Sequence, residues 1–522
     1  MNKKTSKPIV GRACSPTLFS NPSNRKLSAR SANSFGITLL IVSVLLSACS
    51  PQMEKQAQGT ATSPSVSIEA GAIVPEPTPF PTRPAYSPGE LVDYIAQTGD
   101  TLPALALRFN TSVDEILAAN PFIPREASTM PAGMPMRIPI YYRALWNTPY
   151  QSIPDHAFLN SPTSVGFSTA AFLSTQSGWL KSYRAYVGGE WKTGAALVDY
   201  IAVNYSISPR LLLALLEYQG GALTQTEPPV KKNMLGFTRP FWETPYLQLV
   251  LAANTLNNGY YGWRIGTLLE FEIDGDTLIR PDPWQNAGSV ALQYYFSQML
   301  TGNEYYKAIG PDGLAKTYKT FFGDPWEVSF EVMPGSLQQP ELLLPFPILQ
   351  TWSFTGGPHT GWGTGFPFAA LDFAPPAEQS GCIPAKPENY ATAMADGLVV
   401  RSGIDGLALD LDKDGDERTG WVVYYLHLAT QERAAVGSDL KVGDKIGYPS
   451  CEGGRSTGTH VHVARKYNGE WIPAEGALPF VMSGWVPKNG AEPYEGTLSK
   501  GGKMVIACTC SDAYTAISGS YP

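Results

Sequence analysis

Histidine is scarce in this chain, at five of 522 residues. Clustering among so few imidazoles therefore carries weight, and four of them, His359, His427, His460 and His462, fall in the carboxyl-terminal third. Cysteine is nearly as rare, at six. Cys14 and Cys49 lie in the leader, so Cys382, Cys451, Cys508 and Cys510 remain, and export would permit three pairings among them. Cys508 and Cys510 stand too close to pair easily along an extended strand. A surplus of positive charge is also missing: the net charge is −7, and loss of the seven basic residues within 1–34 would leave 31 basic against 45 acidic residues, or −14. Such a balance argues against nucleic acid as a partner. Finally, no apolar run is long enough for a conventional membrane span. The longest, Phe35–Ala48, has 14 residues, short of the roughly 20 a helical span needs and suited to the core of an export signal.

What is present divides the chain. Residues 1–49 read as a signal, basic first and then apolar, closing on Leu46-Ser47-Ala48-Cys49. This ending resembles the lipobox of bacterial lipoproteins, which implies lipidation of Cys49, an exported protein and a lipid anchor in the cell envelope. Plain secretion is the alternative. Residues 50–88 are rich in Pro, Ser and Thr, cannot bury a core, and read as a solvated linker.

Residues 89–140 alternate as strand, turn, helix, helix, strand. Gly99-Asp100 makes the turn, Thr101 is placed to cap the first helix, and Leu102, Leu105, Ala106 and Phe109 share one helical face. The runs Tyr94–Leu102, Val113–Pro121 and Met136–Pro139 resemble a LysM domain. The resemblance implies a small βααβ fold whose two loops form a shallow groove for N-acetylglucosamine polymers, here Gly99, Asp100, Thr101, Asn120 and Pro121.

Residues 145–335 carry helical periodicity and read as mostly α. The stretch Ile207–Gly221 resembles the helix that bears the catalytic acid in lysozyme-like transglycosylases and glucosaminidases. Where those families place a glutamate, this chain has Gln219, and an amide cannot protonate a glycosidic oxygen. Glu217 lies about 200° around the helix from it. The expectation is a lysozyme-like scaffold without glycosidase activity; Glu270 or Glu272 would be the acids of an active one. Trp191, Trp242, Trp263 and Trp284 are candidates for stacking on sugars.

Residues 341–485 read as all-β and antiparallel, from short β-branched and aromatic runs between glycine turns, with 486–522 as an extension. His359 lies in the glycine-rich loop Gly356–Trp362, Asp372 stands in the strand-like run Leu371–Ala374, and His427 lies on the strand-like run Trp421–Leu428. In Gly458-Thr459-His460-Val461-His462, both imidazoles would share one face of a strand. Catalytic zinc commonly takes three protein ligands and keeps one position open. Together with Val442–Gly447, these motifs resemble the M23 zinc peptidases, the lysostaphin and LytM-like peptidoglycan endopeptidases. The 13 positions between His359 and Asp372 are similar to the β-lytic branch. The resemblance implies that His359, Asp372 and His462 hold Zn2+, while His427 and His460 flank the attacking water and the scissile carbonyl. His156 fits no constellation and reads as an ordinary loop residue.

One insertion carries carboxylates at alternate positions: Asp410, Asp412, Asp414 and Asp416 around Gly415. It resembles the first half of a calcium loop. Position twelve would be Trp421, which excludes a complete EF-hand. If Ca2+ binds there, those four aspartates are the candidates, with a structural role; an empty acidic hairpin tip is the alternative.

The expected function is an envelope zinc endopeptidase that hydrolyses peptide bonds in peptidoglycan, with the LysM region holding the polymer. The alternative is a non-catalytic peptidoglycan-binding scaffold or an activator of other wall hydrolases.

Overall fold

A computed structural model describes residues 83–519, apart from 231 and 274. The leader with Cys49 and most of the linker lie outside the described residues. Among the described residues no helix is long and apolar enough to cross a membrane.

The first module runs β1 (Glu90–Ile95), α1 (Leu102–Arg108), α2 (Val113–Ala119) and β2 (Pro135–Ile140), with β1 and β2 antiparallel. Local chemistry sets these bounds. Thr101 caps α1 by accepting from the Ala104 amide. Ser112 and Glu115 satisfy each other's backbone amides in a capping box at α2. Gly99 has φ +74°, which a side chain would disfavour. Leu102, Leu105, Ala106 and Phe109 are buried in the module's own core, so the expected βααβ order and core face are observed.

The middle region is helical around two small hairpins. In chain order it comprises α3 (Asp155–Phe158), α4 (Thr169–Ser174), the hairpin β3 (Arg184–Val187) and β4 (Glu190–Thr193), α5 (Gly194–Tyr205), α6 (Pro209–Gly220) and α7 (Pro245–Arg264). The hairpin β5 (Phe271–Ile273) and β6 (Thr277–Ile279) follows, then α8 (Ala287–Ser297), α9 (Gly302–Ile309) and α10 (Leu314–Phe322). Helix α6 starts on Pro209, whose missing amide costs nothing in the first turn, and ends on Gly221 in the left-handed conformation. His156 is not an ordinary loop residue: it lies in the short helix α3 and is 6% exposed, and burial lowers its pKa.

The last region is built on one large antiparallel sheet, with β9 and β14 as a separate pair and β17, β18 and β19 as a separate small sheet. The region's strands are β7 (Thr351–Thr360), β8 (Phe368–Ala374), β9 (Ala391–Thr392), β10 (Gly397–Gly403), β11 (Gly406–Asp410), β12 (Trp421–Leu426) and β13 (Asp439–Leu440). There follow β14 (Lys445–Gly447), β15 (Val461–Tyr467), β16 (Glu470–Trp471), β17 (Val486–Lys488), β18 (Thr497–Lys500), β19 (Lys503–Ile506) and β20 (Ala516–Ser518). The main order is β13-β10-β11-β12-β15-β8-β7-β20. The expected boundary at residue 485 therefore divides one sheet, because β20 hydrogen-bonds to β7. The extension belongs to the region that carries the histidines.

Alternation along the strands separates two faces. Leu371, Phe373, Val423, Tyr425, Val461 and Val463 enter one core with Phe346, Trp352 and Leu498. Ala370, Tyr424, Leu426 and Ala464 turn the other way and share a core with α5, α6, α7 and α8. Asp372 and His462 have the parity of this second set. The helical region thus packs on the same face of the sheet that carries the site.

Two disulfides close the region. Cys382 pairs with Cys451, and Cys508 with Cys510. The second corrects the sequence expectation. The two residues lie beyond the end of β19, in a bend that brings their Cα atoms to 5.1 Å, a spacing a disulfide can bridge.

Candidate metal centre

Three strands deliver the candidate ligand set. His359 stands near the end of β7, in a strand rather than a loop, opposite Ala370 of β8. Asp372 of β8 lies opposite both Gly356 of β7 and His462 of β15. A side chain at Gly356 would place its Cβ 2.8 Å from Asp372 Oδ2, so glycine there leaves room for the carboxylate. His359 Nε2 lies 2.9 Å from Asp372 Oδ1, and His462 Nδ1 lies 3.3 Å from the same oxygen. Ligands about 2.0–2.1 Å from a tetrahedral ion stand about 3.3 Å from one another, so these separations suit zinc.

The chemistry of the donors agrees. Asp372 Oδ1 and both ring nitrogens of His359 are buried without a hydrogen-bond partner, a costly arrangement unless something cationic draws them together. Burial acts to raise the Asp372 pKa, but His359, His460 and His462 outweigh it and hold the carboxyl well below its ordinary range. Burial lowers the His462 pKa and favours the neutral imidazole a metal requires. His462 Nε2–H donates to the Gly361 carbonyl at 3.1 Å, which leaves Nδ1 bare toward Asp372.

His427 and His460 form the adjoining pair, with ring centroids 4.5 Å apart. His427 does not continue β12; it follows the last strand residue with φ +60°. Its Nδ1–H is held by the Glu452 carbonyl at 2.7 Å, and that of His460 by the Gly458 carbonyl at 2.8 Å. Each therefore carries its free lone pair on Nε2, and His460 Nε2 lies 3.8 Å from Asp372 Oδ1. Burial, with smaller contributions from His460 and His462, pushes the His427 pKa down to about 3, so this imidazole is a free base at neutral pH. All five residues read from the sequence meet at one place.

Sequence reasoning missed a sixth. Tyr494 stacks on His359 with ring centroids 4.0 Å apart and an interplanar angle of 18°. Its amide donates to the Pro358 carbonyl, and the Gly496 amide to that of Gly357. No motif marks it, since it stands 32 positions after His462 in what reads as an extension; the only hint is the paired glycines 356 and 357, which permit close approach.

The other candidates are dispersed. Asp410, Asp412 and Asp414 can bring one oxygen each within 4.8 Å of the others. Asp416 does not join them, because Arg418 takes both its carboxylate oxygens. Burial, with Asp412 beside it, raises the Asp410 pKa to about 6. In the first module Asp100 is buried and bonded to Tyr94 and Arg108, and Asn120 is tied to the backbone of Ile116 and Arg137. Thr101 serves as a cap, and Pro121 is exposed.

In the middle region Gln219 accepts from the Tyr295 hydroxyl at 2.6 Å. Glu217 accepts from the Leu223 and Thr224 amides beyond the end of α6, a structural use. Glu270 is half-exposed and ion-paired with Arg280, and Glu272 is exposed on β5. Trp263 is buried with its indole N–H on the Gln285 carbonyl, and that of Trp284 donates to Asp93 of β1. Trp242 is half-buried, and Trp191 is 69% exposed.

Comparison with known proteins adds names to these regions. Residues 94–139 match the LysM domain family. Residues 151–336 match the family described as LasA, N-terminal domain, rather than a lysozyme-like one. The chain is similar to Protease LasA of Pseudomonas aeruginosa strain UCBPP-PA14, with 23% identity over 344 residues, 62% of this chain and 75% of that protein. The LasA of strain PAO1 is 24% identical over 350 residues, with the same coverage. Among solved structures, an M23 metalloprotease from the deep sea, pseudoalterin, is 22% identical, covering 32% of this chain and 96% of that one with a TM-score of 0.28. The chain thus joins a LysM module to a LasA-type N-terminal region, and its overall similarity is to LasA proteases.

Proposed function

We propose that this protein is an exported, envelope-anchored zinc endopeptidase that cleaves peptide bonds in peptidoglycan, with its LysM module taking up glycan. One observation carries the reading: His359, Asp372 and His462, from three adjacent strands, bring one candidate ligand atom each to a common point, those of His359 and Asp372 buried and unpartnered, beside two imidazoles of fixed tautomer. The similarity to LasA proteases supports the same class of reaction.

Zinc at His359 Nε2, Asp372 Oδ1 and His462 Nδ1 would supply a Lewis acid for the scissile carbonyl and acidify a water to a pKa of about 7. The chain's own groups do the rest. Nε2 of His427 or His460 takes a proton from the attacking water, and the imidazolium so formed returns it to the leaving nitrogen as the C–N bond breaks. The carbonyls of Glu452 and Gly458 hold both rings in the tautomer this needs. The helical region contributes no acid at Gln219, so its proposed role is to wall the groove and not to cut glycan. Cys49, as the site of a lipid anchor, belongs to the same proposal.

The test is release of peptide fragments from defined peptidoglycans, read by mass spectrometry. Activity should vanish on chelation and return with zinc. His462→Ala should lose activity and bind well under one equivalent of zinc. Chelator-insensitive cleavage, or full activity in that variant, would overturn the reading and leave the non-catalytic scaffold.

A further inference from the structure

The groove expected to take glycan lies between the loop after β1 and the loop after α2. In the folded chain another segment, residues 331–337, leads from the helical region to the sheet. It bonds to both loops, at Thr98 in the first and at Ser128, Thr129 and Ala132 in the second, beside Gly99, Asp100, Thr101, Asn120 and Pro121. The Met333 amide donates to Thr98 Oγ1 at 2.8 Å. The Thr129 hydroxyl donates to the Pro334 carbonyl at 2.7 Å and accepts from the Leu337 amide at 3.0 Å, while the Ser336 amide donates to the Thr129 carbonyl at 2.8 Å. Ser128 Oγ donates to the Leu337 carbonyl, and Glu331 accepts from the Ala132 amide. Val332, Met333 and Leu337 are buried. The contact is tight, since a Cβ on Gly335 would stand 2.4 Å from the Pro131 ring. From the far side Asn468 of the sheet region donates to the Val332 carbonyl, and Arg264 covers Gly99.

Backbone amides, carbonyls and small hydroxyls of the two loops are the groups a sugar polymer would use. Here a peptide uses those of Thr98, Ser128, Thr129 and Ala132. We infer that residues 331–337 occupy the LysM groove as an internal ligand, so that glycan and this strap compete for one surface. The inference rests on the LysM glycan reading proposed above. A site open only part of the time binds more weakly in proportion to the open fraction. Glycan uptake would also free the connection between the helical region and the sheet, since one segment serves both.

The test uses the full chain and chitopentaose, an N-acetylglucosamine oligosaccharide. Gly335→Val forces the strap away from Pro131 and should bind the sugar at least about tenfold more tightly than wild type. In wild type, the Met333, Ser336 and Leu337 amides should exchange faster with solvent deuterium once the sugar is saturating. The exchange arm decides the matter even if the variant does not fold. Equal affinity in the two forms, or saturated wild type with those amides still protected, overturns the strap as competitor and leaves glycan binding standing. No binding by a folded Gly335→Val chain with freely exchanging strap amides overturns the glycan reading, and the strap proposal with it.

Discussion

Tyr494 and Lys466 show how a single side chain can act on the site or on stability without bearing a motif. The stack of Tyr494 on His359 fixes the plane of a ligand that has no hydrogen-bonded partner of its own. Tyr494→Ala should therefore lower zinc affinity by about 10- to 100-fold, the usual effect of losing a group that orients a ligand. Tyr494→Phe should keep the affinity near wild type; titration against a competing chelator separates the two. Lys466 is buried, donates to the Val203 carbonyl and lies over Trp471. Burial lowers its pKa from 10.5 to about 7. The unfolded chain then binds more protons between about pH 7 and 10.5, so stability rises with pH across that window, by roughly 1.4 kcal/mol per pKa unit of separation. Denaturant titrations from pH 6.5 to 10 should show the rise in wild type and its loss in Lys466→Met.

At the scale of elements, one loop links the helical region to the proposed metal ligands. The connection between β7 and β8 docks on α7, where Asn254 Oδ1 accepts from the Thr364 amide at 2.7 Å and Asn258 Oδ1 from the Phe366 amide at 2.8 Å. The same loop carries the Gly361 carbonyl that fixes the His462 tautomer. Replacing both asparagines by alanine should lower turnover about tenfold, with zinc content near wild type and little change in thermal midpoint. Unchanged turnover would mean that the loop holds its place without the helix. The Cys382–Cys451 disulfide joins the segment before His460 to residues 381–383, where Thr459 bonds the backbone of Gly381 and Ile383.

Across the whole molecule, one buried cation joins three regions. Arg264 at the end of α7 pairs with Glu470 of β16 and Asp155 of α3, and donates to the Thr98 carbonyl in the LysM module. Removing one partner from such a pair leaves a buried charge uncompensated, at a cost of about 3–5 kcal/mol. Glu470→Ala should therefore lower the unfolding free energy by about that amount, read by chemical denaturation. Arg264→Met with Glu470→Leu and Asp155→Asn, which leaves no unpaired carboxylate and keeps an acceptor for Asn286 and the Gly288 amide, should recover most of it. Because helices and sheet share one core, the loss should appear as a shift of a single transition; separate transitions would show that the regions fold independently.

The βααβ module and the antiparallel sheet were legible in the sequence because they rest on local rules, whereas the five candidate site residues were named through the resemblance to a known family, with only the His460–His462 pair carrying a local signal of its own. Strand alternation, capping residues and the short His-x-His spacing act over a few positions, and their outcome follows from nearest neighbours. The parts that were not legible depend on contacts between distant positions. Tyr494 reaches His359 because its own amide and that of Gly496 bond to the Pro358 and Gly357 carbonyls of β7; Arg418 withdraws Asp416 from the acidic loop; the 508–510 bend, not the strand geometry, lets those cysteines pair. The segment 331–337 meets Thr98 and Thr129 across some 200 residues of chain. No pattern of residue types announces such a meeting, because it is decided by which buried surfaces pack together once every element has formed.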